Sequence, residues 1–250
     1  MSIDFSNVAD DFFLNINLQT TLPLPTSRET VLHFFEAVQK QFGAMTNFYQ
    51  REGSGEYILE ADREGGSYPW IELQEKQFVA GYFSPPGLAE ARDFHAWVLD
   101  RSLYFLGVSG LDIDAFDVLF GFNLDYRGNR DAIVAEALLG GSPLAALGLD
   151  PAVRAVEFEP NVVVALDEGC YLQARVSIET RSSSYQVRTG EYDDEPISLY
   201  LTIRRYPGSG KVIQLVEAFT EQVTICEEMA QRIVVPQILQ PIASAIAASD

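Results

Sequence analysis

At 250 residues, with 47% hydrophobic and 21% charged side chains, the chain has ordinary globular composition and enough length to bury roughly 70 to 75% of its unfolded surface. No long polar or single-residue tract marks disorder. Its 36 acidic against 17 basic residues give a formal charge of -19, which repels phosphate backbones and anionic lipid and disfavours nucleic acid and membrane surfaces as partners.

Phe12 to Thr20 alternates Phe12, Leu14, Ile16 and Leu18 with Asn15, Asn17 and Gln19, the period-2 pattern of a strand buried on one face. After Pro23 and Pro25, Thr26 and Glu29 form a capping box, and Val31, Phe34, Phe35, Val38 and Phe42 recur at helical spacing until Gly43. Short strands follow around Phe48, Tyr57 to Ala61, Trp70 to Gln74 and Phe78 to Phe83, punctuated by glycine and Pro69. Ser84-Pro85-Pro86-Gly87 then opens a second helix with Leu88, Ala91, Phe94, His95, Val98 and Leu99 along one side.

The order restarts at Phe116. Phe116, Val118, Phe120, Phe122 and Leu124 alternate into a helix from about Arg130 to Leu139, capped by Asn129. Strands are expected at Val153 to Phe158, Val162 to Leu166, Tyr171 to Thr180 and Ile197 to Tyr206. Pro207-Gly208-Ser209-Gly210 opens the last long helix, with Val212, Leu215, Val216, Phe219, Val223 and Cys226 on its stripe and Pro236 as its break. The apolar tail from 236 to 250 is expected to dock on the body, and Ile233 to Ile242 offer a surface for a homo-oligomer.

Phe13-Leu14-Asn15-Ile16-Asn17-Leu18-Gln19 lies over Leu119-Phe120-Gly121-Phe122-Asn123-Leu124-Asp125, with Asn17 matching Asn123. Glu52 to Ala61 resembles Glu168 to Ala174 when a short gap is allowed, Ser67-Tyr68 matches Ser184-Tyr185, and Pro86-Gly87 matches Pro207-Gly208. Matches in one order, between the same elements, imply two pseudo-repeats, about 12–107 and about 113–235, in a single body. The expected fold is α+β: two β-α-β4-α units forming a curved antiparallel sheet with helices on one face.

That element order resembles the TATA-box-binding fold, in which two such repeats join their sheets into a saddle with helices on the convex side. Helix-grip folds, which hold small ligands between sheet and long helix, are the nearest alternative. In the TATA-box-binding family the concave face grips a DNA minor groove with basic residues and inserted phenylalanines. Asp125 and the charge of -19 argue against that activity here.

With helices on one face, alternation leaves Asn15, Asn17, Gln19, Asn123, Asp125, Tyr171, Gln173, Arg175, Ser198, Tyr200, Thr202 and Arg204 on the other. The residues singled out for ligand or partner binding are Asn17, Asn123, Arg175, Tyr200 and Arg204, because Tyr and Arg are enriched at binding hot spots and the two asparagines recur in both repeats, where they could sit near the internal axis. The same alternation also describes a plainly solvated face. The expectation is a non-enzymatic binding or interaction protein engaging a protein or small polar ligand, the alternative being a small-molecule carrier or enzyme with a cavity between sheet and helices.

No catalytic residue, metal ligand or cofactor is expected. His33 and His95 fall in amphipathic helices beside large apolar residues, and no HExxH is present. Gly208-Ser209-Gly210-Lys211 precedes a helix but departs from a phosphate-binding loop, with Arg205 for glycine and Val212 for Ser or Thr. Acidic clusters at Asp112 to Asp117 and Glu191 to Glu195 lack EF-hand spacing. Cys170 and Cys226 are expected as reduced core residues. The acidic opening MSIDFSNVADDFF lacks a signal peptide's basic start, and no apolar run approaches about 18 residues, so a cytoplasmic protein is expected.

Overall fold

The alternation of the first strand is realised in β1 (Asp11–Thr20), where Phe12, Leu14, Ile16 and Leu18 are buried and the intervening positions partly open. The structure, a computed structural model, describes residues 5–53, 55–148, 153–208 and 212–249. β1 is followed by α1 (Arg28–Gln41), β2 (Asn47–Gln50), β3 (Tyr57–Glu60), β4 (Tyr68–Leu73), β5 (Gln77–Phe83) and α2 (Leu88–Phe105). The order then restarts with β6 (Ile113–Leu124), α3 (Arg130–Leu139), the one-turn α4 (Ala145–Gly148), β7 (Asn161–Ala165), β8 (Leu172–Glu179), the short α5 (Ser184–Thr189), β9 (Ile197–Arg205) and α6 (Leu215–Met229).

These strands form one open antiparallel sheet in the order β2-β3-β4-β5-β1-β6-β9-β8-β7, with the helices on one side, an α+β fold. The opening strands of the two halves meet at its centre, Leu14 facing Phe120 and Ile16 facing Val118. All four side chains are fully buried beneath the helices. A one-residue slip would turn them out to the open side, so burial itself fixes the register of the seam.

Each half closes with a helix laid on the sheet, α2 against β5 and α6 against β6 and β9. Phe34, Phe78, Phe94, Phe116, Phe120, Phe122 and Phe219 fill the space between the layers at no more than 2% exposure. At the eighth position of each closing helix stands a fully buried polar residue, His95 in α2 and Gln222 in α6. His95 Nε2 lies 3.4 Å from Ala80 O of β5, and Gln222 Nε2 donates to Ile203 O of β9 at 2.8 Å and Phe116 O of β6 at 3.1 Å.

Several expectations need correction. The cap of α1 is Ser27, whose hydroxyl accepts from Thr30 N–H, and not Thr26. Among the described residues nine strands appear where two full units would give ten. Val153 to Phe158 forms no strand because side chains from the start of α3 take its backbone groups: Asn129 Nδ2 donates to Ala155 O at 2.9 Å, and Phe158 N–H donates to Asp131 Oδ1 at 2.6 Å. Cys226 is buried, but Cys170 is exposed, in the turn before β8, with φ of 57°. Val212 lies before α6 and is exposed, off the apolar stripe. The rejected phosphate-loop segment falls largely outside the described residues.

Pro236 does not break the chain's helical course. Ala230–Leu239 runs as a π-helix, in which hydrogen bonds reach back five residues, as from Gln240 N–H to Val235 O. The wider turn makes room for a ring that lacks an N–H. Helix α7 (Gln240–Ser249) then packs against α3, with Leu239 and Ile242 fully buried. Ile233 remains 47% exposed, whereas Val234 and Val235 are covered by the protein's own core. Among the described residues no helix is long and apolar enough to cross a membrane.

Candidate functional site

Strand register lays out the open face in rows across both halves. One runs Tyr68, Phe83, Phe13, Gly121, Tyr200, Ser177. The next runs Glu60, Trp70, Gly81, Asn15, Leu119, Thr202, Arg175. The third runs Ile58, Glu72, Val79, Asn17, Asp117, Arg204, Gln173. Each of the first two contains a mid-strand glycine with an aromatic ring laid across it. A Cβ at Gly121 would fall 2.1 Å from Phe13 Cζ, and one at Gly81 would fall 2.4 Å from Trp70 Nε1. Glycine is required at both because the rings occupy the space a side chain would need.

The first row is therefore an aromatic ladder through the seam. Tyr68 stacks on Phe83 with centroids 5.3 Å apart, Phe83 on Phe13 at 6.0 Å, and Phe13 meets Tyr200 edge to face at 6.1 Å. Tyr200 is held from above. Its hydroxyl accepts from Arg181 Nη2 at 2.7 Å, and Arg181 Nη1 donates to Ser198 Oγ at 2.8 Å. Arg181 adopts φ of 50°, uncommon for a residue with a Cβ, which turns it back over the end of β9.

Two hollows open on this face to either side of Asn15. The larger, about 520 Å³, is lined from the first half by Tyr49, Arg51, Glu60, Arg63, Tyr68, Trp70 and Glu72, and from the second by Asn123, Arg181, Glu195 and Tyr200. The smaller, about 310 Å³, is lined by Asn17, Asp117, Arg175, Thr202, Arg204 and Tyr206 among others. Thus the structure groups Asn17, Arg175 and Arg204 around one hollow, and Asn123 with Tyr200 around the other. Asn17 and Asn123 share the face but not a neighbourhood. Asn17 pairs with Asp117 and Asn123 with Asp11, so six residues of strand, roughly 20 Å, separate them.

These side chains differ in how free they are to meet a partner. Arg204 grips Asp117 in a two-pronged pair, Nε to Oδ1 at 2.7 Å and Nη2 to Oδ2 at 2.6 Å, and that bond raises its pKa further above the usual guanidinium range. Asn123 is satisfied across the strands, its Oδ1 accepting from Ser198 Oγ at 2.7 Å and its Nδ2 facing Asp11 at 3.4 Å. By contrast, among the described residues Asn17 Oδ1 is buried without a hydrogen-bond partner, and no hydrogen bond or ion pair holds the exposed Arg175.

Sequence reasoning placed Asn15 and Asn17 of the first half on this face but missed Glu60, Trp70 and Glu72, with Phe13 and Phe83. The available signal was Gly81 and Gly121, since a glycine inside an apolar strand marks a close approach by another group. Neither histidine belongs to this face. His33 is exposed on α1, and His95 is sealed beneath the sheet, where burial lowers its pKa to about 4. Burial likewise pushes the Cys226 thiol up, away from reactivity. Among the described residues no group of three or more His, Cys, Asp or Glu is arranged to hold a metal ion. No known protein-family model matches the chain, and no curated protein matches it significantly.

Proposed function

We propose that this chain is a non-enzymatic binding protein whose open sheet face, a saddle of the TATA-box-binding kind put to another use, docks a protein segment. The observation that carries the reading is the pair of hollows astride Asn15, joined by an aromatic ladder to which both halves contribute. Aromatic rings and arginines set in a polar surround are the composition of binding hot spots. The filled layer between sheet and helices favours the open face over an internal small-molecule site. The charge of -19 favours a basic or neutral partner over nucleic acid.

The test is a crystal structure of protein purified from its native cells without denaturation. Extra density over the Phe13 to Tyr200 row supports the reading. Density enclosed between the sheet and α2 or α6 would replace it with the carrier alternative.

A further inference from the structure

The larger hollow carries its charges in a directional arrangement. Glu60 and Glu72 form part of its floor with side chains only 10% and 11% exposed, whereas the cations bonded to them, Arg63 and Arg51, are 60% and 51% exposed. Removing a partner from a buried carboxylate is costly, so these anions demand a cation at all times. The arginines can swing into water and lose little. Fixed negative charge therefore sits inside, and replaceable positive charge outside.

Aromatic faces share the same hollow. Tyr49, Tyr68 and Trp70 line it alongside the two carboxylates, and Arg63 already stands 5.4 Å above the centre of the Tyr68 ring. We infer that the hollow is a receptor for an organic cation, a guanidinium or ammonium group on a basic side chain of the protein partner, which displaces Arg63 or Arg51 from Glu60 or Glu72. This rests on the open-face reading above and specifies the chemistry of its partner. An entering cation gains both the carboxylate and the ring faces. An anion would have to settle over Glu60 and Glu72 against the field of the whole protein, and the three arginines around the hollow are already bonded to Glu56, Glu60, Glu72 and Glu179.

Trp70 makes the idea measurable. The chain has two tryptophans, and Trp97 lies on α2 against Phe42, in the helix layer. In a Trp97→Phe background, emission reports on Trp70 alone. Titration with N-acetylargininamide and with a tri-arginine amide is expected to give a saturable change, and N-acetylglutamate and tri-glutamate none. Replacing both carboxylates, Glu60→Gln with Glu72→Gln, is expected to weaken tri-arginine binding by about tenfold or more, the scale of a charged hydrogen bond. Arg63→Ala removes the internal competitor from an exposed position and is expected to tighten binding by about threefold, within the scale of an exposed pair. That variant decides the matter if the double variant does not fold.

Equal binding of the glutamate probes, no saturable response to the arginine probes, or weaker binding in Arg63→Ala would each overturn the inference. The open-face reading is scored separately, by photo-crosslinking of a partner from Tyr49 and Arg175. Crosslinks that persist while arginine probes fail to bind leave the face as a docking surface and remove only the cation receptor. Failure of both removes both.

Discussion

In the first half β4 turns directly into β5, with Gln74 N–H donating to Gln77 O at 2.9 Å. In the second, β8 reaches β9 only through residues 180–196, which carry α5 and its capping box of Ser183 and Gln186. Side chains hold that longer connection, Asp131 and Glu159 at Thr180 and Gln186 at Asp193 among them, and the largest of these is fully buried. Arg130, the first residue of α3, donates to Thr180 O at 2.6 Å and to Asp193 O and Glu195 O at 2.9 Å. A hairpin satisfies its backbone by pairing, whereas a loop folded over a sheet end must find donors elsewhere. The halves thus share a plan but differ in what secures it, and the polar latch of the second half is what presents Arg181 to the open face.

Arg130→Met breaks this comparison most directly. The side chain's volume is roughly kept, but the carbonyls of Thr180, Arg181, Asp193 and Glu195 lose their donor, and about 3 kcal/mol of stability should go with it. Denaturant titration measures the loss, and hydrogen exchange should show it concentrated at 180–196 while β4 and β5 stay protected. Equal loosening of both halves would mean the latch is not local.

The closing helices sharpen the comparison through pH. His95 has its folded pKa lowered from 6.5 to about 4 by burial, so between those values the unfolded chain binds the extra proton. Its contribution is complete above about pH 6.5 and is lost as pH falls toward 4, up to about 3 kcal/mol. Gln222 of the second half does not titrate. His95→Gln should therefore flatten the stability profile between pH 6.5 and 4 relative to the unchanged protein, the difference isolating His95 from the carboxylates that titrate nearby. Identical profiles would contradict its burial.

The smallest effect belongs to Arg175. It is exposed and has no hydrogen bond or ion pair among the described residues, so Arg175→Ala should shift stability by under about 0.5 kcal/mol. Any weakening of partner capture by this variant then reports binding and not folding.

Much of this architecture was legible because burial writes itself into spacing. The alternation of Phe12 to Leu18 and of Phe116 to Leu124 gave both seam strands, and Asn129 gave the cap of α3, whose side chain accepts from Ala132 N–H at 3.1 Å. Segments whose backbone is satisfied by distant side chains were not legible. Val153 to Phe158 has strand-like composition, yet Asn129 and Asp131 capture its polar groups, a competition that no local pattern reveals. Pro236 read as a helix end because the π turn that admits it depends on packing around Val234, Val235 and Leu239.

The site was half legible for a related reason. Parity put Asn17, Asn123, Arg175, Tyr200 and Arg204 on one face, but parity carries no register. Only the strand pairings show that Asn17 and Asn123 stand far apart, and that Trp70 and Glu60 share a row with Asn15 and Arg175.

The most direct test of the central claim, that the open face built by both halves is the working surface, is site-specific photo-crosslinking in native cells. Crosslinkers at Tyr49 and Arg175, on the open face of each half, are compared with Glu36 and Thr224, exposed on α1 and α6. The account predicts that both open-face positions capture the same discrete protein and that the helix positions do not. Capture from Glu36 or Thr224 with silence at Tyr49 and Arg175 would contradict it.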